Sequence, residues 1–212
     1  NLAKSALKML KERYEGTNLG RQELYAEIIE AFEGALWNPE LIDEARVDED
    51  KDLQQIIVAV DPAVTANANS DETGIVVVGK DYNNHFYVLE DLSGRHPPDK
   101  WGRIAINAFY EWEADRIVAE VNNGGDLVER LIDNNVSYRS VRATRGKILR
   151  AEPIAALYEQ RRVHHMDVFS ELEQQMCSYT GETNSSPDRL DALVWGLTEL
   201  SKSKGQVNWR IS

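Results

Sequence analysis

Four carboxylates stand at positions in the sequence where they could do chemistry. Asp61 ends the apolar run IIVAV, and Glu120 ends the apolar run IVA. Runs this short and this rich in β-branched residues predict buried strands. A carboxylate at the tip of a buried strand is costly unless it is paired, hydrogen-bonded or bound to a metal. Asp188 and Asp191 lie three residues apart in a predicted helix, so both can point the same way.

Carboxylates that converge on one spot repel each other, and a bound cation relieves that repulsion. Mg²⁺ and Mn²⁺ prefer oxygen ligands. Two such ions about 4 Å apart can hold the attacking and leaving oxygens of a phosphodiester. Each acid also has a simpler interpretation, since Asp61 could cap a turn before Pro62, Glu120 could be a surface acid and Asp188 could only begin a helix.

The elements that must position these acids alternate between short apolar runs and amphipathic stretches. Strands are predicted at residues 56–60, 74–79, 85–90, 116–121, 136–141 and 163–166. Helices are predicted at residues 100–112, 127–133, 151–160, 170–178 and from 186 onward. Asp99 is the expected N-cap of the first of these helices, and Pro153 is expected in the first turn of the third.

The order of these elements predicts an α/β fold of the ribonuclease H-like type. Three strands follow one another as antiparallel hairpins, and parallel strands then alternate with helices that flank the mixed sheet. In such a fold the first and fourth strands lie side by side and parallel, with a helix in the crossover between them. Asp61 and Glu120 would then face one another across neighbouring strand ends.

The first part of the sequence has a different pattern. Residues 1–47 contain no strand signal and predict a short helical arm, with helices at 1–14 and 22–32 and a short segment at 40–46. A charged link follows. We place a domain boundary near Asp48, so that residues 48–212 form the α/β domain.

Composition excludes several classes of protein. The 212 residues are 42% hydrophobic and 28% charged, which is typical of a globular protein. No apolar run reaches membrane-spanning length, and the N-terminal residues show no signal-peptide pattern, so we expect no membrane partner and no secretion. A single cysteine, Cys177, can form no internal disulfide, which favours a reducing compartment, and we expect its side chain to be a small part of the core. The net charge of −12 argues against nucleic-acid binding over the whole surface.

One segment has the opposite charge. Residues 139–162 contain seven basic residues against two acidic ones. We predict that Arg142, Arg145, Lys147 and Arg150 form a track for DNA phosphates, although a solvated helix face is the alternative. Nothing in the segment indicates base readout, so any cutting should depend little on sequence.

Several blocks of the sequence resemble the C-terminal nuclease part of tailed-bacteriophage terminase large subunits. The matching blocks are VAVDPA at 58–63, IVAEVNNGG at 117–125, RGKILRAEPIAALYEQRRVHH at 145–165 and PDRLDALVWG at 187–196. GTNLGRQEL at 16–24 is similar to the end of the ATPase part of that family and its linker. Together these blocks cover most of the chain.

The resemblance implies a metal-dependent endonuclease that cuts concatemeric double-stranded viral DNA during genome packaging, using Mg²⁺ or Mn²⁺. It implies that Asp61, Glu120 and Asp191 are metal ligands, and that Asp188 occupies a position that is acidic in some members and histidine in others. The implied partners are the ATPase part of the same full-length chain, a small terminase subunit and a portal, in the host cell cytoplasm. The ATPase part of that family needs a phosphate loop of the form GxxxxGK[ST], and the sequence has none, so we expect this chain to have no motor activity of its own.

Two other classes of function stay open at this point. An actin-like or sugar-kinase-like ATPase fragment also carries an aspartate at the end of its first strand, and ATP binding would favour it. A non-catalytic docking module for the packaging motor would be favoured by the lack of metal-dependent cleavage.

Overall fold

The computed structural model describes residues 34–49, 51–62, 72–121, 136–181 and 187–202, with the side chains of residues 98 and 99 excepted. The helices predicted at 1–14, 22–32 and 127–133 lie outside the described residues. The described part forms one six-stranded sheet with helices packed on both faces.

The sheet has the predicted ribonuclease H-like topology. Its strands are β1 (Leu53–Asp61), β2 (Gly74–Asp81), β3 (Phe86–Asp91), β4 (Arg116–Glu120), β5 (Tyr138–Val141) and β6 (Val163–His165). The strand order is β5-β4-β1-β2-β3-β6. β1, β2 and β3 are antiparallel, whereas β4 runs parallel to β1, β5 parallel to β4 and β6 parallel to β3. The predicted mixed sheet is therefore confirmed.

Five helices accompany the sheet in the described part of the chain. They are α1 (Pro39–Glu44), α2 (Pro98–Glu111), α3 (Lys147–Glu159), α4 (Ser170–Ser178) and α5 (Asp188–Lys202). α2 packs on one face, and α1, α3, α4 and α5 contribute to the cluster on the other face. Among the described helices, none combines the length and the apolar character that a bilayer crossing requires.

The central strands β1 and β2 contain unbroken apolar runs because both of their faces are covered. In β1, Val58 and Val60 lie in the cluster beneath α2, whereas Ile57 lies in the cluster beneath α5. Successive side chains of a strand point to opposite faces, so a doubly covered strand needs apolar residues at every position. This explains the unbroken run that first marked β1 in the sequence.

Two glycines let α5 lie against the sheet at close range. A Cβ atom built at Gly196 would meet Val78 Cγ2 at 2.7 Å and Ala59 Cβ at 3.0 Å. A Cβ atom built at Gly74 in β2 would lie 2.0 Å from the backbone carbonyl oxygen of Asp188. The start of α5 therefore lies directly against Gly74, the first residue of β2, which pairs with Asp61 at the end of β1.

Two predicted helix starts are wrong. α2 begins at Pro98 with Pro97 as its N-cap, so Asp99 is not the cap, because proline is well suited to the first helical position. α3 begins at Lys147, so Pro153 lies in the helix interior and not in its first turn. The helix tolerates this proline because Ala151, Ile154 and Tyr158 are buried against the core, and this packing offsets the missing backbone donor.

Part of the predicted arm packs on the sheet domain. Trp37 and Ile42 are buried in the core cluster beneath α5, and the backbone N–H of Val47 donates to the carbonyl of His165 over 3.0 Å. Arg46 donates to Glu173 Oε1 over 2.8 Å. The described end of the arm is thus held by apolar burial and by hydrogen bonds, while the domain boundary near Asp48 stays a prediction.

Candidate active site

Three elements bring the four predicted carboxylates to one end of the sheet. β1 ends at Asp61 and β4 ends at Glu120, and the parallel register pairs Val60 with Ala119, one residue before each acid. α5 starts at Asp188 and carries Asp191 in the same first turn. Glu120, Asp188 and Asp191 are 8%, 6% and 4% exposed, so their charges are largely removed from water.

The pKa of Asp61 shows that the charges of the other three carboxylates act on it. The pKa of Asp61 is raised well above its ordinary value, first by burial and then by the negative charges of Asp191, Glu120 and Asp188. The positive charge of Lys147 acts in the opposite direction. Since a neighbouring charge shifts a pKa in this way only at short range, acids that are far apart in the sequence form one cluster in the fold.

Glu120 is held in place by a tryptophan and an arginine. Trp195 Nε1 donates to Glu120 Oε2 over 2.5 Å. The guanidinium of Arg150 lies 4.6 Å from the centroid of the Trp195 ring, and its Nη1 atom is 3.6 Å from Glu120 Oε2. Sequence reasoning missed Trp195, although its place four residues after Asp191 puts both side chains on one face of the helix.

Two of the residues predicted to bind DNA lie against the carboxylates. Lys147 Nζ donates to Asp191 Oδ2, and Arg150 Nη2 is 3.7 Å from Asp191 Oδ1. Burial lowers the pKa of Lys147, but the hydrogen bond and the charge of Asp191 outweigh burial and leave it raised. Lys147 is therefore a charged partner of the acids in this structure, and its role in DNA binding stays a prediction.

The rest of the basic segment is divided between internal ion pairs and exposed residues. Arg139 Nη1 lies 2.6 Å from Glu199 Oε1, and Arg161 Nη2 lies 2.6 Å from Glu44 Oε2. Arg162 Nη2 donates to the carbonyl of Asn84 over 2.9 Å. Arg142 and Arg145, which precede α3, are exposed. The segment therefore does not present seven equivalent charges to solvent.

A buried arginine fixes the start of α5. Arg189 lies within 3.0 Å of Glu72 Oε2, 2.8 Å of Asp91 Oδ2 and 2.6 Å of Glu171 Oε2. Its side chain is 7% exposed, so these ion pairs are partly shielded from water. Because Arg189 follows Asp188 directly, the pairs tie the first turn of α5 to β3 and to α4. The sequence offered no signal for this role beyond an arginine between two aspartates.

The chemistry of the donor set suits a divalent cation. All four groups are carboxylates, which are the oxygen ligands that Mg²⁺ and Mn²⁺ prefer. The raised pKa of Asp61 indicates negative charge that a cation would compensate. Within the part of the chain that the structure describes, no group of three or more His, Cys, Asp or Glu side chains forms a ready-made metal site. The donors fit such an ion by type, and Lys147 and Arg150 lie against two of them.

The fold matches solved structures of large terminases. It is similar to a large terminase from a thermophilic bacteriophage, with a TM-score of 0.61 and 12% identity over 94% of this chain and 52% of that one. The chain thus spans about half the length of that protein. It is also similar to the large terminase nuclease of the thermophilic phage G20c, with a TM-score of 0.54 and 12% identity over 78% of this chain and 98% of that one.

A third similar structure comes from human cytomegalovirus. The human cytomegalovirus terminase nuclease domain, soaked with Mn and bound to an inhibitor, aligns with a TM-score of 0.50 and 15% identity over 76% of this chain and 92% of that one. At these identities the three likenesses establish the fold. No curated protein matches the sequence.

The sequence itself matches a family model. The model of the terminase RNaseH-like domain covers residues 58–200, which is more than half of the chain. The matched stretch starts just before Asp61 and contains Glu120, Asp188 and Asp191. The predicted resemblance is thereby confirmed, and the chain belongs to the family of terminase RNaseH-like domains.

Proposed function

We propose that this chain is the metal-dependent endonuclease domain of a tailed-bacteriophage terminase large subunit, which cuts concatemeric double-stranded viral DNA. The observation that carries the proposal is the convergence of four carboxylates from β1, β4 and α5, expressed in the raised pKa of Asp61. Family membership supports it, as do the similar structures described as terminase nucleases. Clusters of acids with perturbed pKa values are characteristic of functional sites.

We propose Mg²⁺ or Mn²⁺ as the cofactor, in a two-metal site. Asp61, Glu120, Asp188 and Asp191 would hold the ions. Bound there, divalent ions would stabilise charge on the attacking and leaving oxygens of a phosphodiester. The manganese soak of the cytomegalovirus domain supports this choice of cofactor.

The chain's own residues keep the carboxylates in position before any substrate arrives. Trp195 and Arg150 orient Glu120, and Arg189 fixes the turn that carries Asp188. A site whose side chains are locked by such contacts avoids reorganisation during the reaction. The polar contacts around the acids therefore support a catalytic interpretation over a purely structural one.

For substrate binding we propose that Arg142 and Arg145 hold DNA phosphates beside the carboxylates. Both residues are exposed and lie just before α3 in the sequence. The first residue of α3, Lys147, donates a hydrogen bond to Asp191. Phosphate contacts position a duplex without reading its bases, so cleavage should show little sequence specificity. We further propose that the full-length chain acts in the host cell cytoplasm, with its ATPase part, a small terminase subunit and the portal as partners that choose the cut site.

The proposal is tested with supercoiled plasmid, the purified chain and Mn²⁺ or Mg²⁺, with and without a chelator. We expect slow nicking and degradation that the chelator stops. Asp61→Asn and Asp191→Asn should abolish cleavage while circular dichroism and the melting temperature stay near those of the wild type. Asp52→Asn is the matched control, because Asp52 is an exposed aspartate just before β1.

The outcomes separate the candidate functions. Full cleavage by Asp61→Asn or Asp191→Asn would refute the proposed site. If the wild-type chain cuts no DNA with either metal, the docking-module alternative gains support. ATP binding by the chain would instead favour the ATPase alternative. A single dominant cut position in sequenced products would show that the chain reads DNA sequence itself.

A further inference from the structure

The most unusual feature of the candidate site is a lysine inside the carboxylate cluster. Lys147 is the first residue of α3, and its Nζ donates to Asp191 Oδ2. The charges of Asp61 and Asp188 also act on this ammonium group, more weakly than Asp191 does. The ammonium group therefore interacts with three of the four acids and not with Asp191 alone.

A second cation near the same acids differs from Lys147 in its mobility. Arg150 lies one turn further along α3, and its side chain is 11% exposed and packed on the ring of Trp195. The side chain of Lys147 is 43% exposed. An arginine stacked on an indole is held in one orientation, whereas a lysine ammonium on a flexible stem is readily rehydrated. Arg150 is thus a fixed part of the site, and Lys147 is an exchangeable one.

This arrangement has a direct consequence for cation binding. Asp191 Oδ2 already carries a hydrogen bond from an ammonium group, so a divalent cation that uses the same oxygen must displace it. Because Lys147 lies at the exposed side of the cluster, its departure needs no rearrangement of the core. The displaced ammonium would move towards solvent, and Arg142 and Arg145, which shortly precede α3, are exposed as well.

We propose that Lys147 is a resident counter-ion, which occupies Asp191 in the metal-free protein and is released when a divalent cation enters. The proposal rests on the proposed function for the identity of that cation. In the metal-free state Lys147 reduces the repulsion among the carboxylates and so keeps the site assembled. Once released, it adds a positive charge to the surface that would meet DNA phosphates. Metal entry would therefore precede substrate capture, and Lys147 is a positioning residue that links the two steps.

The first test measures Mn²⁺ binding by isothermal titration calorimetry in the absence of DNA. Lys147→Met removes the competing ammonium and should bind Mn²⁺ about fivefold more tightly than the wild type, as expected for loss of a partly exposed ion pair. Lys147→Arg keeps the charge and should stay near the wild type. Lys51→Met is the matched control, since it makes the same change at a paired lysine near the opposite end of β1 and should alter the affinity by less than about twofold.

Thermal unfolding provides a second reading of the same variants. Without metal, Lys147→Met should melt below the wild type because the carboxylates lose a counter-ion. Saturating Mn²⁺ should narrow that difference in melting temperature, because the bound metal then compensates the charge of the carboxylates in both proteins. A structural ion pair with no link to the metal would leave the difference in melting temperature unchanged by Mn²⁺.

A third measurement needs no variant and covers the case in which Lys147→Met fails to fold. Acylation of lysines in the wild-type chain is followed by mass spectrometry with and without Mg²⁺. The ammonium of Lys147 is protected by its partner in the metal-free state, so Mg²⁺ should raise its labelling rate severalfold. Lys51, which is paired with Glu49 at 2.9 Å near the opposite end of β1, serves as the internal reference.

The results distinguish failure of this inference from failure of the proposed function. If the wild type binds Mn²⁺ and Lys147→Met binds it no more tightly, the counter-ion role is wrong while the metal-dependent nuclease stands. An unchanged ratio of Lys147 to Lys51 labelling on addition of Mg²⁺ leads to the same conclusion. If neither protein binds Mn²⁺, both proposals are overturned.

Discussion

Replacement of Gly74 by alanine should push the first turn of α5 away from β2. The added Cβ atom would lie 2.0 Å from the carbonyl oxygen of Asp188, whereas ordinary van der Waals contact begins at 3.4 Å. Both atoms belong to regular elements that cannot yield by a rotamer change, so the helix start must move by at least about 1 Å to restore a separation of 3.0 Å. Overpacking of this kind costs about 3 kcal/mol, which in a domain of this size lowers the melting temperature by roughly 6–12 °C.

The same displacement should impair catalysis more than stability, because the turn that moves carries Asp188 and Asp191. Gly74 also pairs with Asp61 across β1 and β2, so the change falls beside a third carboxylate. A misplacement of about 1 Å at an active site lowers the rate by about 100-fold. We expect Gly74→Ala to fold at room temperature and to cut plasmid with a rate reduced by that factor.

The assay compares Gly74→Ala with Gly146→Ala in urea unfolding and in metal-dependent plasmid cleavage. Gly146 has nothing within 4 Å of a built Cβ atom, so the same chemical change there meets no steric clash. Because Gly146 is the N-cap of α3, the change should lower the free energy of unfolding by less than about 1 kcal/mol. Wild-type stability and cleavage in Gly74→Ala would refute the reasoning, because they would mean that the start of α5 is not fixed by its contact with β2.

Other contacts in the structure lead to four more predictions. Burial raises the pKa of Glu173, but the hydrogen bonds and charges of His165 and Arg46 outweigh it and lower that pKa to about 2. The ionised Glu173 side chain therefore stabilises the fold fully above about pH 4.5, and this stabilisation is lost as the pH falls towards 2. In urea titrations the free energy of unfolding should fall by up to about 3 kcal/mol over that range, and it should depend less on pH in Glu173→Gln. Burial, followed by the nearby carboxylates, raises the pKa of the Cys177 thiol to about 12, so a disulfide-exchange reagent should label the folded chain only after denaturant is added. Trp195→Phe removes the donor to Glu120 and should lower kcat/KM about tenfold with little change in KM, whereas a change in KM alone would point to a substrate contact. Arg142→Ala combined with Arg145→Ala should reduce the slope of log affinity for DNA against log salt by about 1 to 2, and an unchanged slope would place these residues away from the phosphates.

The sheet and its acids were predictable from the sequence because both depend on short-range patterns. The apolar runs predicted the strands, and the hairpin order followed by alternating strands and helices predicted the parallel neighbours β1 and β4. From that topology alone Asp61 and Glu120 had to meet, because the carboxyl ends of adjacent parallel strands lie at the same edge of a sheet.

The contacts of Lys147 and Arg150 with the carboxylates were not predicted from the sequence, because one helix start was misplaced. The preference of proline for the first turn put the start of α3 near Ala151, which left Lys147 and Arg150 in a predicted loop. In the structure the helix begins at Lys147, and these two side chains lie one turn apart on it. Tertiary burial of Ile154 and Tyr158 overrode the local preference, and no pattern within the segment reports such burial.

The packing of α5 against the sheet also affects when the chain can complete its fold during synthesis. Asp188 and Asp191 reach the site only with α5, which also supplies Leu193 and Leu197 to the buried core. A nascent chain that has emerged from the ribosome only as far as β6 therefore lacks both the last two carboxylates and the helix that covers the sheet. Such a chain can neither complete its fold nor assemble the acidic site. Truncated translation products of this protein should accordingly be harmless to DNA, because completion of the fold and of the reactive centre depend on the same late segment.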